Sequence, residues 1–275
     1  MTLILQISDT HFGTERPPVV EALVELVARQ KPDVLILSGD ITQRARPEQF
    51  QVARKFVDRL QISRVLTIPG NHDISLFNLG ARLLSPYEHY RRHFGPELEP
   101  ELDLPDLLVL AVNTTRRWRH VDGEVSTGQI ERVAKRLAAA TPQQLRIVVT
   151  HQPVAVSRVE DMHNLLHGHA QAIQEWAASG ADLILGGHIH LPYVRALHEA
   201  DHALGRPIWA VQAGTALSHR LRHDTENSVN LIRTPAAGAP AAAIADVERW
   251  DFDPATVQFV VQEQHCLNRS GYGAA

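Results

Sequence analysis

One cysteine, Cys266, stands among 275 residues, so no internal disulfide can form and a closed thiolate zinc site lacks its ligands. The same scarcity fits a reducing compartment and leads us to expect a cytoplasmic protein. No stretch approaches the ~20 consecutive apolar residues that a membrane span needs. Met1 to Ile7 is apolar but short, has no basic lead-in and runs directly into Ser8-Asp9, so it does not read as a signal peptide. Positive charge is not in surplus either. A net charge of −4 argues against binding nucleic acid by bulk electrostatics. Neither nucleic acid nor membrane is therefore expected as a partner, and a homo-oligomer is left open. What remains is 44% hydrophobic and 21% charged, an ordinary globular profile, with sixteen histidines that direct attention to metal chemistry.

Along the chain, short apolar runs alternate with helical patterns. Leu3 to Ile7 reads as a buried strand ending at Ser8-Asp9-Thr10-His11. Pro17-Pro18 opens a helix with Val20, Leu23, Val24 and Val27 on one face. Val34 to Leu37 is a second strand, ending at Ser38-Gly39-Asp40, and Pro47 opens a second helix with Phe50, Ala53, Phe56, Val57 and Leu60 in register. Val65 to Ile68 is a third strand, ending at Pro69-Gly70-Asn71-His72-Asp73. Successive strand–loop–helix units predict parallel strands in an α/β layered fold. Asp9, Asp40 and Asn71 follow one another at equal intervals, each just past a strand. Ligand sites gather at the carboxyl ends of strands in open α/β sheets.

The stretch from Ile74 to about Pro105 is irregular apart from a helical pattern over Tyr87 to Phe94, and reads as an insertion that shapes substrate access. Strands at Leu107–Val112, Arg146–Thr150 and Leu183–Leu185 follow, with helices over Thr127–Ala139, capped by Ser126 or Thr127, and over Ala170–Ala178. The second of these strands ends at His151, the third at Gly186-Gly187-His188-Ile189-His190. Beyond it the helical pattern stops. Tyr193–Leu197, Ile208–Ala213, Val229–Ile232, Val247–Trp250 and Val257–Val261 read as mostly antiparallel strands, and Pro235 to Ala243 as a mobile loop. No linker divides the chain, which predicts one domain over residues 1–267 and a flexible tail over 268–275.

Taken singly, these motifs are weak. Pro, Gly, Asn and Asp are the commonest turn residues, and Asp-x-His arises by chance. The His-x-His pair is better, because an extended segment puts both rings on one face. The decisive feature is their joint occurrence at strand ends. Imidazole, carboxylate and amide ligands together suit Fe, Mn or Zn better than Ca or Mg.

Asp9-Thr10-His11, Gly39-Asp40, Gly70-Asn71-His72-Asp73, His151 and Gly187-His188-Ile189-His190 resemble the five motif blocks of the calcineurin-like metallophosphoesterases, over residues 3 to about 215. The resemblance implies a four-layer α/β/β/α sandwich of two mixed sheets. It also implies a binuclear centre of divalent or trivalent ions, Mn or Fe first and Zn next. Asp9, His11 and His190 would hold one ion, Asn71, His151 and His188 the other, and Asp40 would bridge them. Hydroxide made at the two metals would attack phosphorus, His72 would protonate the leaving alkoxide, and Asp73 would orient His72.

Subfamily differences narrow the substrate. The protein Ser/Thr phosphatases carry Asp-Arg-Gly shortly after the bridging Asp, where this chain has Asp40-Ile41-Thr42-Gln43-Arg44-Ala45. The capping domains of repair nucleases and the basic helical insertion of lipid A precursor hydrolases are not visible. The chain looks like the compact bacterial class III phosphodiesterases, which implies a small phosphodiester substrate of the cyclic-nucleotide or glycerophosphodiester kind. A phosphomonoesterase is the alternative; a nuclease or a metal-free interaction scaffold ranks lower. Arg220 and Arg222 are candidates to grip the phosphate. Trp118 is a candidate to stack on a base, and His163, His167 and His169 can line the mouth of the site or sit on a surface loop.

Overall fold

Alternation along buried strands sets the architecture. The computed structural model describes residues 1–75, 79–119, 121–222, 225–236, 238–240 and 242–269. In it, β1 (Leu3–Ile7) turns Ile4 into one apolar core and Leu3, Leu5 and Ile7 into another. A strand covered on both faces must divide its side chains this way, because successive residues point to opposite sides. β2 (Val34–Ser38) divides alike, with Val34 and Ile36 beside Ile4, and Leu35 and Leu37 beside Leu5. β3 (Arg64–Ile68) continues the parallel set.

The crossovers α1 (Pro17–Gln30) and α2 (Pro47–Leu60) lay Leu23, Leu26, Phe50 and Phe56 over the outer face. Proline opens both helices, where its missing N–H leaves no bond unmade. Each large aliphatic side chain buried here contributes about 1.5–3 kcal/mol.

The next segment contains α3 (Leu79–Leu84), α4 (Glu88–Phe94) and β4 (Glu101–Leu104), followed by β5 (Leu107–Ala111). This is the stretch read as an insertion, and much of it is scaffold. Tyr90 of α4 is fully buried, its hydroxyl 2.7 Å from Thr67 Oγ1, and β4 pairs antiparallel with β5. The strand is hidden in the sequence because Glu101 and Asp103 face solvent at a sheet edge.

α5 (Thr127–Ala138) starts at Ser126, whose hydroxyl accepts from Gln129 N–H while the Gln129 side chain returns to Ser126 N–H, a capping box. β6 (Leu145–Val149), α6 (His169–Ala178), β7 (Leu183–Gly186), β8 (Tyr193–Ala196), the short α7 (Leu197–Ala200) and β9 (Trp209–Gln212) complete the second sheet. β10 (Ser228–Arg233), β11 (Ala243–Asp253) and β12 (Gln258–Asn268) return to the first.

Two six-stranded mixed sheets result, ordered β12-β11-β10-β1-β2-β3 and β4-β5-β6-β7-β9-β8. Between them Ile4, Ile36 and Leu66 meet Val109, Ile147, Leu185 and Trp209. Outside the second sheet, α5 and α6 cover Leu108, Val148 and Ile184. The α/β/β/α sandwich is therefore the one expected. Two details differ. The segment after His190 includes a helix, α7, and that crossover brings β9 back parallel to β7, while β8 alone pairs antiparallel with it.

At the chain end, Asn268 pairs with Ala243, so part of the expected tail belongs to a strand; residues 270–275 lie outside the described residues. Within the expected loop from Pro235 to Ala243, Ala237 and Ala241 also lie outside them. Among the described residues no helix is long and apolar enough to cross a membrane.

Candidate metal centre and active site

The carboxyl ends of β1, β2, β3, β6 and β7 meet across the two sheets, and each is followed within a few residues by a group expected in the site. The turns that carry them are unusual. Asp9, His11, Asp40, His188 and His190 all take left-handed backbone, at φ of 51°, 44°, 48°, 75° and 56°. Such conformations cost about 1–3 kcal/mol each outside glycine and persist where surrounding structure over-determines them. Main-chain bonds do so here: Asp9 N–H donates to Gly39 O at 3.1 Å, His11 N–H to Asp40 O at 3.0 Å, and Gly187 N–H to His151 O at 2.8 Å. Gly187 is required for a different reason. A Cβ there would lie 2.0 Å from Ser8 Oγ and 2.6 Å from Asp9 Oδ2.

Below the loops, three buried amides tie the sheets together. Gln6 donates to Gly186 O at 3.0 Å, Asn230 donates to Gln6 Oε1 at 3.0 Å, and Gln212 donates to Gly187 O. Two of these bonds end on main-chain carbonyls after β7 and one joins two amides, so polar groups buried in an otherwise apolar layer find partners.

The imidazole orientations follow from backbone carbonyls. His151 Nδ1 lies 2.9 Å from Ser38 O and His190 Nδ1 lies 2.5 Å from Arg220 O. A carbonyl only accepts, so each Nδ1 carries hydrogen and each Nε2 faces inward. There, His151 Nε2 is 3.2 Å from Asn71 Oδ1 and 3.3 Å from Asp40 Oδ1. His190 Nε2 is 3.1 Å from His11 Nε2 and 3.3 Å from Asp9 Oδ1. His11 Nε2 is 3.7 Å from Asp40 Oδ2. Imidazole nitrogens thus face carboxylate oxygens and one another, an arrangement that a proton or a metal ion between them satisfies.

Two buried atoms, Asp9 Oδ1 and His188 Nδ1, have no hydrogen-bond partner among the described residues. Potential ligand atoms fall within 4.8 Å of one another in three groups: Asp9/His11/His190, Asp40/His151/His188 and His11/Asp40/His72. The donor set fits a metal centre, and Asp40 and His11 each belong to two groups.

Electrostatics point the same way. Burial holds His11 and His188 down to about 3, so both are neutral and ready to ligate. Burial opposes protonation of His151 too, but the Asp40 charge and hydrogen bond lift it up to about 9. Burial would raise Asp9, yet the His190 charge brings it down to about 2, and Asp40 is held well below the carboxylate range by His151 and His72 despite its burial.

The calcineurin-like phosphoesterase profile matches residues 2–192. The chain belongs to that family. Among its curated relatives is the glycerophosphodiester phosphodiesterase GpdQ of Enterobacter lignolyticus, 39% identical over 84 residues, which are 26% of this chain and 29% of that protein. A probable cyclic nucleotide phosphodiesterase of Rhodococcus erythropolis is 26% identical over 205 residues, 68% of this chain and 64% of the relative. The chain thus spans less than two thirds of either relative. Purple acid phosphatase PPD1 from yellow lupin shares the fold, with a TM-score of 0.67 at 12% identity over 98% of this chain and 54% of that one.

Within this family centre, the seven expected ligands and His72 lie together, but Asp73 does not hold the His72 ring. His72 Nδ1 lies 2.8 Å from the carbonyl of Gln43 instead. Both Asp73 oxygens are occupied elsewhere, accepting from the N–H groups of Gly70, Ile41 and Thr42 and from the Thr42 hydroxyl at 2.8–3.0 Å. Burial and the Asp40 charge raise its carboxyl to about 6 against those donors. Asp73 is a brace between the β2 and β3 loops.

Arg220 does enter the site, with Nη1 3.1 Å from His72 Nε2, 3.3 Å from Gln43 Oε1 and 3.4 Å from His11 Nδ1. Arg222 lines the same cavity of about 230 Å³, but its terminal nitrogens are held by Asp161 and Glu160. Trp118 is exposed and lines a separate cleft with Glu99 and Arg116, while its neighbour His120 lies outside the described residues. His163, His167 and His169 form no ligand group among the described residues; His169 Nδ1 bonds Leu166 O, and His167 lies 3.9 Å from Asp122.

Proposed function

We propose that the chain is a metal-dependent phosphodiesterase for small diesters of the cyclic-nucleotide or glycerophosphodiester kind. The observation that carries this reading is the convergence of imidazole nitrogens and carboxylate oxygens at one edge of two sheets, with Asp9 Oδ1 and His188 Nδ1 left without hydrogen-bond partners among the described residues. In this reading Asp9, His11 and His190 hold one cation, Asn71, His151 and His188 a second, and Asp40 both. Bound there, Mn, Fe or Zn ions would acidify water and draw charge from the phosphoryl oxygens.

The chain's own groups do the rest. Asp40 keeps the two ligand sets in register, because each of its oxygens faces a different set. Arg220 presents a guanidinium beside His72, where it can bind a phosphoryl oxygen as charge builds. His72, its Nδ1–H fixed on Gln43 O, turns Nε2 to the departing oxygen and gives up a proton there as the imidazolium, which carries hydrogen on both nitrogens, while Arg220 turns from Nε2 to the phosphoryl oxygen. The names of the relatives favour a diester over a monoester.

The test is a panel of bis-p-nitrophenyl phosphate, p-nitrophenyl phosphate and 3′,5′-cyclic AMP with enzyme loaded with Mn²⁺. The reading expects higher kcat/KM on the diesters. A strong preference for the monoester overturns it in favour of a phosphomonoesterase.

A further inference from the structure

Among the described residues, the guanidinium of Arg220 meets two imidazoles and one amide and pairs with no carboxylate. Its Nη1 lies 3.1 Å from His72 Nε2, 3.3 Å from Gln43 Oε1 and 3.4 Å from His11 Nδ1. Arg222, two residues on, is instead bound by Asp161 and Glu160.

The three partners of Arg220 are not equivalent. An amide oxygen only accepts, whereas an imidazole nitrogen accepts only while it carries no hydrogen. His72 keeps a hydrogen on Nδ1 against Gln43 O, so Nε2 of the neutral ring accepts from Arg220. That bond must break before Nε2 can face a departing oxygen. His11 turns Nε2 toward Asp40 Oδ2 and His190 Nε2, at 3.7 Å and 3.1 Å. With that nitrogen on a cation, the hydrogen of the ring sits on Nδ1, which then no longer accepts. Gln43 Oε1 is the one acceptor of the three that stays available.

Gln43 is well placed for this. Its N–H donates to Phe12 O at 3.1 Å, and its neighbour Thr42 bonds Asp73 through both N–H and hydroxyl at 2.8 Å. The side chain therefore starts from a fixed loop. Its amide is uncharged, so it can hold Arg220 without cancelling the positive charge. A guanidinium has five N–H donors, and one bond to Gln43 leaves the others for phosphoryl oxygens.

We infer that Gln43 is a positioning residue whose side-chain oxygen keeps Arg220 aimed into the cavity as the guanidinium passes from His72 to phosphate. This rests on the phosphodiesterase reading above and on Arg220 as the group that binds phosphate. Gln43 acts through Arg220.

The experiment is a double-mutant cycle on Mn²⁺-loaded protein: parent, Gln43→Met, Arg220→Ala and the two combined. Methionine keeps the length of the side chain and removes the acceptor, and residue 43 keeps its carbonyl throughout. Affinity for inorganic phosphate is read by calorimetry and kcat/KM on bis-p-nitrophenyl phosphate by kinetics, with metal content beside them. In the parent background Gln43→Met should lower both affinity and kcat/KM by about tenfold, the scale of one hydrogen bond to a charged group. In the Arg220→Ala background the same change should cost less than about twofold, because groups that act as a unit do not add. Metal content should be equal in all four proteins. Gln43→Ala runs through the same cycle, so a Met variant that misfolds does not decide the matter.

Equal losses in the two backgrounds overturn the inference and mark a structural role. So does parent-like phosphate affinity in both Gln43 variants, or loss of metal in both. Phosphate affinity in Arg220→Ala equal to that of the parent overturns this inference while the phosphodiesterase reading stands. A parent that hydrolyses no diester ends that reading and this one with it.

Discussion

The backbone carbonyl of Arg220 lies 2.5 Å from His190 Nδ1, while its guanidinium lies 3.1 Å from His72 Nε2. One residue therefore sets the tautomer of His190, a proposed ligand, through its main chain and places a cation in the cavity through its side chain. Substitution separates the two roles. Arg220→Ala keeps the carbonyl and should keep the metal. Its kcat/KM on a diester should fall by about 10²–10³, the scale for losing one preorganised donor. Arg220→Lys should recover part of that. Metal analysis beside steady-state kinetics checks both, and loss of metal in Arg220→Ala would contradict the division of roles.

His72 should matter in proportion to how much the leaving group needs a proton. His72→Ala is expected to retain metal and to lose about 10²–10⁴ in rate on an alkyl diester. The loss should be much smaller with p-nitrophenolate, which leaves unaided. A uniform loss across leaving groups, read from a series of graded pKa, would count against proton transfer by His72.

In the metal-free protein, His151 should compete with metal by holding a proton. Its folded value of about 9 exceeds the ordinary histidine value of 6.5, so the folded state binds that proton more tightly. The resulting stability is complete below about pH 6.5 and is lost as pH rises through about 9. Metal binding at pH 7.5 should then release about one proton from this residue, and apparent affinity should climb with pH toward 9. Calorimetry in buffers of different ionisation enthalpy measures the release; affinity that ignores pH between 6.5 and 9 would refute it.

Asp73 should be a stability residue. Asp73→Ala strands three backbone N–H groups and a hydroxyl, and each stranded donor costs about 1–3 kcal/mol. Chemical denaturation should show a loss of several kcal/mol (order of magnitude). The leaving-group dependence of the surviving activity should stay as in the parent, because the His72 ring rests on Gln43 O. A changed dependence would restore the orienting role first expected of Asp73.

Side-chain chemistry at strand ends was legible in the chain because β1, β2 and β3 are apolar runs that stop abruptly at Ser8, Gly39 and Pro69. The expected ligand groups follow those stops directly. Groups that act through the main chain were not legible. Ser38, Gln43 and Arg220 orient His151, His72 and His190 by carbonyl oxygens, which every residue type possesses. Asp161 was obscured for another reason. Only the fold brings Asp161 to Arg222, 61 residues away, where it holds a guanidinium that the sequence offered for phosphate. β4 was missed because Leu102 and Leu104 are half-buried and alternate with charges at a sheet edge, too weak a pattern to stand out.

In the proposed centre one carboxylate, Asp40, joins two ligand sets. Metal content per chain, measured together with hydrolysis of bis-p-nitrophenyl phosphate in parent and Asp40→Ala proteins, decides whether it does. We predict about two ions per parent chain, loss of hydrolysis on chelation, recovery with Mn²⁺, and depletion of metal and activity together in Asp40→Ala. Full metal occupancy in Asp40→Ala, or hydrolysis by the parent that survives chelation, would contradict it.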